Sequence, residues 1–328
     1  AVGILLLPAT QYPATTWWSK PDLDREYVLS LDVEHYFGNI QKMRKHLETD
    51  RQILWVTYYR NLYNATHPSE INSPVSLSRN LLAWNQPGTN GLILPVNPSA
   101  SFLSILFANE LWFTLGDMTM AEHCAMLSMI FSPRNSGSRM IKRLAEINLV
   151  NGDDEAALKY LRILDKTLLH KSWAEKRIPG QQTPRVKEWL EKKRRDIPTQ
   201  DQLRSGNDAV TSLQNLVASN AGNLRAYEYL LCYHLLSKDL RSFVEDYVPG
   251  KVSSPIFAEA LLIHLARQGN IRAEELIKYQ IPVEIAKEFA DYTRLYEAKD
   301  TSLKEKYGKT YWFYYHFATT EPGKESKP

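Results

Sequence analysis

The sequence predicts an all-α fold, an α-solenoid built from helical hairpins. Apolar residues recur at helical spacing through most of the 328 residues, and no Asn-Gly turn separates two alternating β-branched runs. Glycines also fall between helix-like stretches at a repeating interval, since Gly116 and Gly152 lie 36 residues apart. Such a period is typical of helical repeat proteins, in which each unit buries its apolar face on its neighbours.

The clearest hairpin covers residues 138–164. Its two helical patterns are separated by "NGDD", where Gly152 suits a left-handed C-cap and either aspartate can cap the next helix. Two small residues, Ala145 and Ala157, lie where antiparallel helices would approach most closely. This spacing resembles a tetratricopeptide (TPR) unit, so we expect the solenoid to be TPR-like.

Other segments follow the same plan more loosely. Further hairpins are predicted at residues 27–48, 106–133, 225–247 and 257–279. Two interruptions break the array: a long loop rich in Asn and Pro at residues 62–101, and an insert with a basic helix at residues 171–200. A loop as long as the first is usually functional or disordered.

The predicted TPR-like repeat domain covers residues 23–319, and the polar tail at residues 320–328 is expected to be disordered. Residues 1–22 precede the domain as either a membrane-proximal segment or a strap packed on the first helix. Their start, "AVGILLLP", is too short for a membrane span and has no initiator methionine, so we expect that a preceding segment has been removed. The tryptophans of "TTWWSK" would suit a membrane–water interface.

Three stretches resemble a known family. They are Gly137–Ala174, the hairpin "AYEYLLCYHLLSKDL" at residues 226–240, and "YGKTYWFYYHF" near the C-terminus. They are similar to an uncharacterised family of Bacteroidetes membrane proteins, whose members have N-terminal membrane helices followed by a soluble TPR-like region. The resemblance implies that this chain is the soluble part of a longer membrane-anchored protein. We expect that part to lie in the periplasm, although the sequence leaves open which side of the membrane it faces. It brings no catalytic residues.

Composition and motifs give no sign of catalysis. The formal net charge of +3 is too small to indicate a nucleic-acid-binding protein by itself. Phosphate-binding glycine loops, the HExxH metal motif and the GxSxG nucleophile elbow are absent from the sequence. We therefore expect no catalytic residue, no cofactor and no metal, and we expect Cys124 and Cys232 to be buried free thiols.

The basic insert carries the candidate interaction residues. Between Lys171 and Arg195 there are nine Lys or Arg against three acids, with tryptophans interleaved. Such a helix could bind anionic lipid headgroups or nucleic-acid phosphates, or it could be a solvated face with its tryptophans packed inward. We keep an anionic membrane surface as a candidate partner and do not favour nucleic acid. The candidate residues are Trp173, Arg185, Lys187, Trp189, Lys192, Lys193, Arg194 and Arg195.

The segment 311–317 is the second candidate for a structural or binding role, and it holds six aromatic rings in seven residues. The last unit of a solenoid exposes an apolar face that must be covered. We expect the segment to cap that face by packing on the hairpin at residues 257–279. The alternative is a ligand platform, but stacking on bases would call for basic residues alternating with the rings. The predicted cap residues are Tyr311, Trp312, Tyr314, Tyr315 and Phe317.

Two functions follow as hypotheses. The first is a non-catalytic module that binds an unidentified protein or peptide in a solenoid groove. The alternative is a ligand- or glycan-binding protein or an enzyme, with a pocket formed by the 62–101 loop against the solenoid.

Overall fold

The computed structural model describes residues 22–47, 56, 59, 63, 102–130, 137–199, 209–308 and 310–317. Within these ranges the chain forms 16 helices with defined bounds and no strand, which confirms the predicted all-α class. The predicted loop at 62–101 lies outside the described residues apart from Tyr63, and so does the segment 1–22 apart from Asp22. The predicted tail at 320–328 lies wholly outside them.

The chain divides into two compact units, residues 1–63 and 64–328. None of the described helices is both long enough and apolar enough to cross a bilayer. The helices are α1 (Leu23–Phe37), α2 (Ile40–Leu47), α3 (Phe102–Leu115), α4 (Met118–Ile130), α5 (Ser138–Asn151), α6 (Asp154–Asp165), α7 (Lys171–Glu175), α8 (Pro184–Arg194), α9 (Ala209–Ser219), α10 (Leu224–Leu236), α11 (Leu240–Asp246), α12 (Pro255–Arg267), α13 (Ala273–Lys278), α14 (Val283–Glu297), α15 (Leu303–Tyr307) and α16 (Tyr311–Phe317).

The first unit contains α1 and α2, which pack on each other. Asp22 caps α1 by accepting a hydrogen bond from the backbone N–H of Arg25 at 3.0 Å. Gly38 ends α1 in the left-handed conformation, with φ +70°. The divergent hairpin predicted at residues 27–48 is therefore a pair of helices joined at a glycine.

In the second unit, α3 packs on α4, α4 on α5, α5 on α6 and α6 on α7, and α8 returns to pack on α5. Every residue of α3 from Ala108 to Leu115 is buried. A helix buried on all sides needs a partner for each polar side chain it carries. For Asn109, the partners are the carbonyl oxygen of Ala121 at 2.6 Å and the guanidinium of Arg143 at 3.0 Å.

The α5–α6 hairpin shows the caps that the sequence predicts. Gly152 ends α5 with φ +82°, and the carboxylate of Asp153 accepts a hydrogen bond from the backbone N–H of Ala156 at 2.9 Å. The side chains of Ala145 and Ala157 are fully buried. Their small size allows the two helices to approach closely.

The remaining helices form the second part of this unit. α9 packs on α10, α10 on α11, α11 on α12 and α12 on α14. α14 and α16 both contact α15, and α16 returns to pack on α12. Every residue of α12 from Ile256 to Ile263 is buried, because its neighbours surround it.

The aromatic segment forms α16, and two of its tyrosines contact the end of α10. The hydroxyls of Tyr311 and Tyr314 donate hydrogen bonds to the carbonyl oxygens of Leu235 at 3.0 Å and Leu236 at 2.8 Å. The last carbonyls of a helix have no partner within that helix. The two buried tyrosines therefore satisfy the C-terminus of α10.

α12 holds another side of α16. The buried carboxylate of Glu259 accepts a hydrogen bond from the backbone N–H of Tyr311 at 2.6 Å. The backbone carbonyl of Glu259 accepts another from the indole N–H of Trp312 at 2.9 Å. Tyr315 is half-buried and Phe317 is 40% exposed, so the rings are covered at the start of α16 and reach solvent at its end.

Candidate functional site

α8 is the basic helix of the insert, and its apolar side holds it on α5. Pro184 occupies the first turn, where its missing N–H costs no hydrogen bond. Val186 and Leu190, one turn apart, are both buried. The other sides of the helix carry the exposed cations Arg185, Lys187 and Lys192, and the exposed Arg195 directly follows the helix.

The last turn of α8 closes the C-termini of two other helices. The ammonium of Lys193 donates a hydrogen bond to the carbonyl oxygen of Phe113, in the last turn of α3, at 3.3 Å. The guanidinium of Arg194 donates to the carbonyl oxygens of Val150 at 3.0 Å and Leu149 at 2.8 Å, in the last turn of α5. Both cations satisfy carbonyls without intrahelical partners and complement the negative end of a helix dipole.

The ring of Phe113 is the centre of this junction. The ammonium of Lys193 lies 4.6 Å from its centroid and the guanidinium of Arg143 lies 3.8 Å from it. The indole of Trp189 stacks on the same ring, with centroids 6.3 Å apart. Trp189 and Lys193, two of the sequence candidates, therefore contact α3 inside the protein.

The ammonium of Lys193 loses its proton at a lower pH than an exposed lysine does. Burial, with added repulsion from Arg225 and Arg143, lowers the pKa of Lys193 from 10.5 to about 8. Between these two values, the unfolded chain holds a proton on this residue that the folded chain releases. Unfolding free energy therefore increases as the pH rises through this window.

We expect this group to add about 2 kcal/mol to the unfolding free energy between about pH 7 and about pH 9.5. Lys193→Met keeps an apolar stem and does not titrate. The unfolding free energy of this variant should therefore lack the part of the increase with pH that comes from Lys193. Urea unfolding of both proteins at the two pH values measures the difference. Lys192→Met, at an exposed position, should show the pH dependence of the wild type. An equal rise in wild type and Lys193→Met would contradict the expectation.

A buried ion-pair network joins α3 to α5. The carboxylate of Glu110 pairs with Arg139 at 3.1 Å and also with Arg143. A second nitrogen of Arg143 lies 3.0 Å from the carboxylate of Glu146. Glu146 is thus already engaged by one cation at the edge of the surface described next.

Trp173, on the short helix α7, is the centre of a cationic surface. One side of its indole packs on the apolar core between α5 and α6. The guanidinium of Arg177 lies 4.1 Å from the indole ring centre, and the ammonium of Lys142 lies 5.2 Å from it. Arg185, at the start of α8, is close enough for its charge to lower the pKa of Arg177. We call Lys142, Trp173, Arg177 and Arg185 the Trp173 surface.

Positive charge is in excess on the Trp173 surface. Burial lowers the pKa of Arg177, while Glu146 offsets this and Arg185 adds to it. Burial also lowers the pKa of Lys142, and Glu146 is again the main compensating charge. The Nε atom of Arg177 is buried and has no hydrogen-bond acceptor among the described residues. Glu146, itself paired with Arg143, is the main acid that offsets these cations, and Glu110, which pairs with Arg139 and Arg143, adds a smaller effect on Lys142.

The sequence identified part of this surface. Trp173 and Arg185 were predicted from the basic insert, whereas Lys142 and Arg177 were not. Arg177 follows Trp173 by four residues, the spacing at which helical side chains meet, so it had a detectable signal. No sequence signal links Lys142 to Trp173, because Lys142 lies in another hairpin and is brought to the indole by the packing of the helices.

The Trp173 surface is chemically suited to bind an anion. Guanidinium and ammonium groups donate charge-assisted hydrogen bonds to carboxylates, and the indole offers a flat apolar contact beside them. Within the described ranges, no group of three His, Cys, Asp or Glu side chains is arranged to hold a metal ion.

Comparison with known proteins gives a family. Residues 1–318 match the model of a family described as "Family of unknown function (DUF6057)". No curated protein and no solved structure matches the chain.

Proposed function

The chain belongs to this DUF6057 family of unknown function, and on that premise we propose that it is a non-catalytic interaction module that binds an acidic peptide segment of a partner protein. The Trp173 surface carries the proposal. The cationic groups of Lys142 and Arg177 lie over one half-buried indole, and Arg185 is close enough to lower the pKa of Arg177. Glu146 is the main compensating acid. Bringing like charges together costs free energy, and an acidic ligand would offset that cost.

The residue types favour a peptide as the ligand. Tryptophan and arginine are the side chains most often found as energetic anchors of protein interfaces. Arg177 and Arg185 could each hold a side-chain carboxylate, and the half-buried indole of Trp173 could contact the stem that carries it.

The proposal extends to the arrangement and location of the helices. We propose that the hairpins of the second unit stack in a TPR-like array, since Gly116 and Gly152 end helices in the same left-handed conformation 36 residues apart. We also propose that the chain is the soluble part of a membrane-anchored protein and lies in the periplasm. The sequence resemblance to membrane-anchored proteins supports the anchoring.

Binding of a fluorescein-labelled oligoglutamate peptide tests the function. We expect saturable binding to the full chain, weakened by salt because surface charges drive it. Lys142→Gln with Arg177→Gln should weaken binding about tenfold or more, as expected when two charge-assisted contacts are lost. Fluorescence anisotropy gives the dissociation constants.

A matched control removes the same charge elsewhere. Lys192→Gln with Arg195→Gln removes one exposed cation in the last turn of α8 and another directly after it, and it should change the affinity by less than about threefold. Equal weakening in the two double variants would show that net charge alone drives binding. That result, or no binding to the wild type, would contradict the proposal.

A further inference from the structure

The turn between α6 and α7 exposes two adjacent leucines. Leu168 is 98% exposed and Leu169 is 82% exposed. Ile163, in the last turns of α6, is also 48% exposed. Single exposed apolar residues are common, but neighbouring ones at the tip of a turn form an apolar projection.

The turn is held in this conformation by its own hydrogen bonds. The hydroxyl of Thr167 donates to the carbonyl oxygen of Leu164 at 2.7 Å and accepts from the backbone N–H of His170 at 3.2 Å. The backbone N–H of Thr167 donates to the same carbonyl at 2.9 Å, and its own carbonyl accepts from the N–H of Lys171 at 3.2 Å. The leucines are therefore presented to solvent by a fixed turn.

The charge around the turn is strongly positive. Residues 162–177 contain five Lys or Arg and two acids, a net charge of +3 that equals the formal charge of the whole chain. Lys166 and Lys171 flank the two leucines and are exposed. One of the acids, Glu175, pairs loosely with Lys171 at 4.0 Å.

We propose that this turn docks on an anionic lipid surface, with Leu168 and Leu169 inserted among the acyl chains and Lys166 and Lys171 at the phosphates. A lipid interface needs no matching cavity to accept an apolar tip, and it attracts the cations on both sides of that tip. A protein partner would have to supply a pocket for the leucines and acids for the lysines. Docking on lipid goes beyond the peptide-binding function, and the four residues placed at the bilayer are not members of the Trp173 surface.

A fluorescent label placed in the turn tests insertion directly. Cys124 and Cys232 are buried and free, and burial raises the pKa of both thiols, that of Cys124 to about 12. A thiol-reactive nitrobenzoxadiazole label should therefore react at an exposed introduced cysteine. In Leu168→Cys, we expect its emission to shift to the blue when vesicles of phosphatidylcholine and phosphatidylglycerol are added. In Ile277→Cys, at a position on α13 that is 77% exposed, we expect no shift.

Vesicle affinity gives a second readout. Leu168→Asn with Leu169→Asn should lower the partition coefficient on the mixed vesicles about a hundredfold, or about tenfold for each leucine removed. Ile277→Asn should leave it unchanged. Lys166→Gln with Lys171→Gln should reduce the preference for mixed vesicles over pure phosphatidylcholine.

Three outcomes would overturn the docking proposal. One is an unshifted label at position 168 on vesicles that do bind the protein, which would place the contact elsewhere in the chain. Another is equal vesicle affinity in wild type and the double asparagine variant. The third is a label shift caused by oligoglutamate and not by vesicles, which would make the turn part of the peptide site. A protein that does not bind the peptide can still show the label shift and the vesicle affinity. The experiments can therefore contradict the peptide-binding proposal and the lipid-docking proposal independently.

Discussion

Replacing Gly116 with alanine is expected to lower the unfolding free energy by about 3–5 kcal/mol. Gly116 ends α3 with φ +93°, a conformation that costs a residue with a side chain about 1–2 kcal/mol. The larger effect is steric. An added methyl carbon would overlap the carbonyl oxygen of Asp196 and lie 2.8 Å from its carbonyl carbon.

Asp196 cannot move away easily, because it is held from two directions. Its carbonyl oxygen accepts a hydrogen bond at 2.7 Å from the amide of Asn223, and the same amide donates to Leu115 at 2.8 Å. Its carboxylate lies 3.5 Å from Arg225, which donates to the carbonyl oxygen of Thr114 at 3.0 Å. Relief of the overlap would therefore separate the ends of α3 and α8 and break these bonds.

Gly152→Ala is the matched control. This glycine also ends a helix in the left-handed conformation, with φ +82°, but no atom lies within 4 Å of the place where a side chain would begin. We therefore expect Gly152→Ala to lower the unfolding free energy by the conformational cost alone, about 1–2 kcal/mol. Urea unfolding followed by circular dichroism measures both variants. Equal losses at the two positions would show that the approach of Asp196 does not matter for stability.

Trp312→Ala is expected to lower the unfolding free energy by about 3–5 kcal/mol, the usual range for truncating a buried tryptophan. The indole is fully buried in α16. Its ring lies 5.3 Å from that of Phe289, 5.5 Å from Tyr292 and 5.9 Å from Tyr307, measured between centroids. The substitution would leave a cavity among these rings and remove the hydrogen bond to the carbonyl oxygen of Glu259.

Phe317→Ala provides the comparison, because it removes a ring from the same helix where 40% of the residue is exposed. Its expected cost is below about 1 kcal/mol, since much of the ring is already in contact with water. Chemical unfolding gives both values, and limited proteolysis at the C-terminus reports whether α16 has detached. A Trp312→Ala protein as stable as the wild type would show that α16 does not hold α12 and α14 together.

Local sequence signals were sufficient for the caps of the α5–α6 hairpin. The glycine and aspartate of "NGDD" predict the end of α5 and the start of α6, and Gly152 and Asp153 occupy those roles. Such caps depend on residues within about four positions of each other, so a single stretch of sequence contains all the information.

The roles of the charged residues did not follow from sequence in this way. Lys193 and Arg194 belong to the same run of cations as Lys192 and Arg195, and composition gives no reason to separate them. The structure separates them because the direction of each side chain around α8 decides which one meets a neighbouring helix end. Lys193 contacts a carbonyl that lies 80 residues away in sequence, and Arg194 contacts carbonyls 44 and 45 residues away.

The sequence by itself thus determined the all-helical class, several of the turns and two members of the Trp173 surface, Trp173 and Arg185. Only the tertiary structure placed Lys142 over the indole of Trp173, across a helix interface. The tertiary structure also distinguished Gly116 from Gly152, which have the same local role and different neighbours. The physical reason is range: helix formation and capping act over one or two turns, whereas burial, ion pairing and steric overlap depend on atoms brought together by folding.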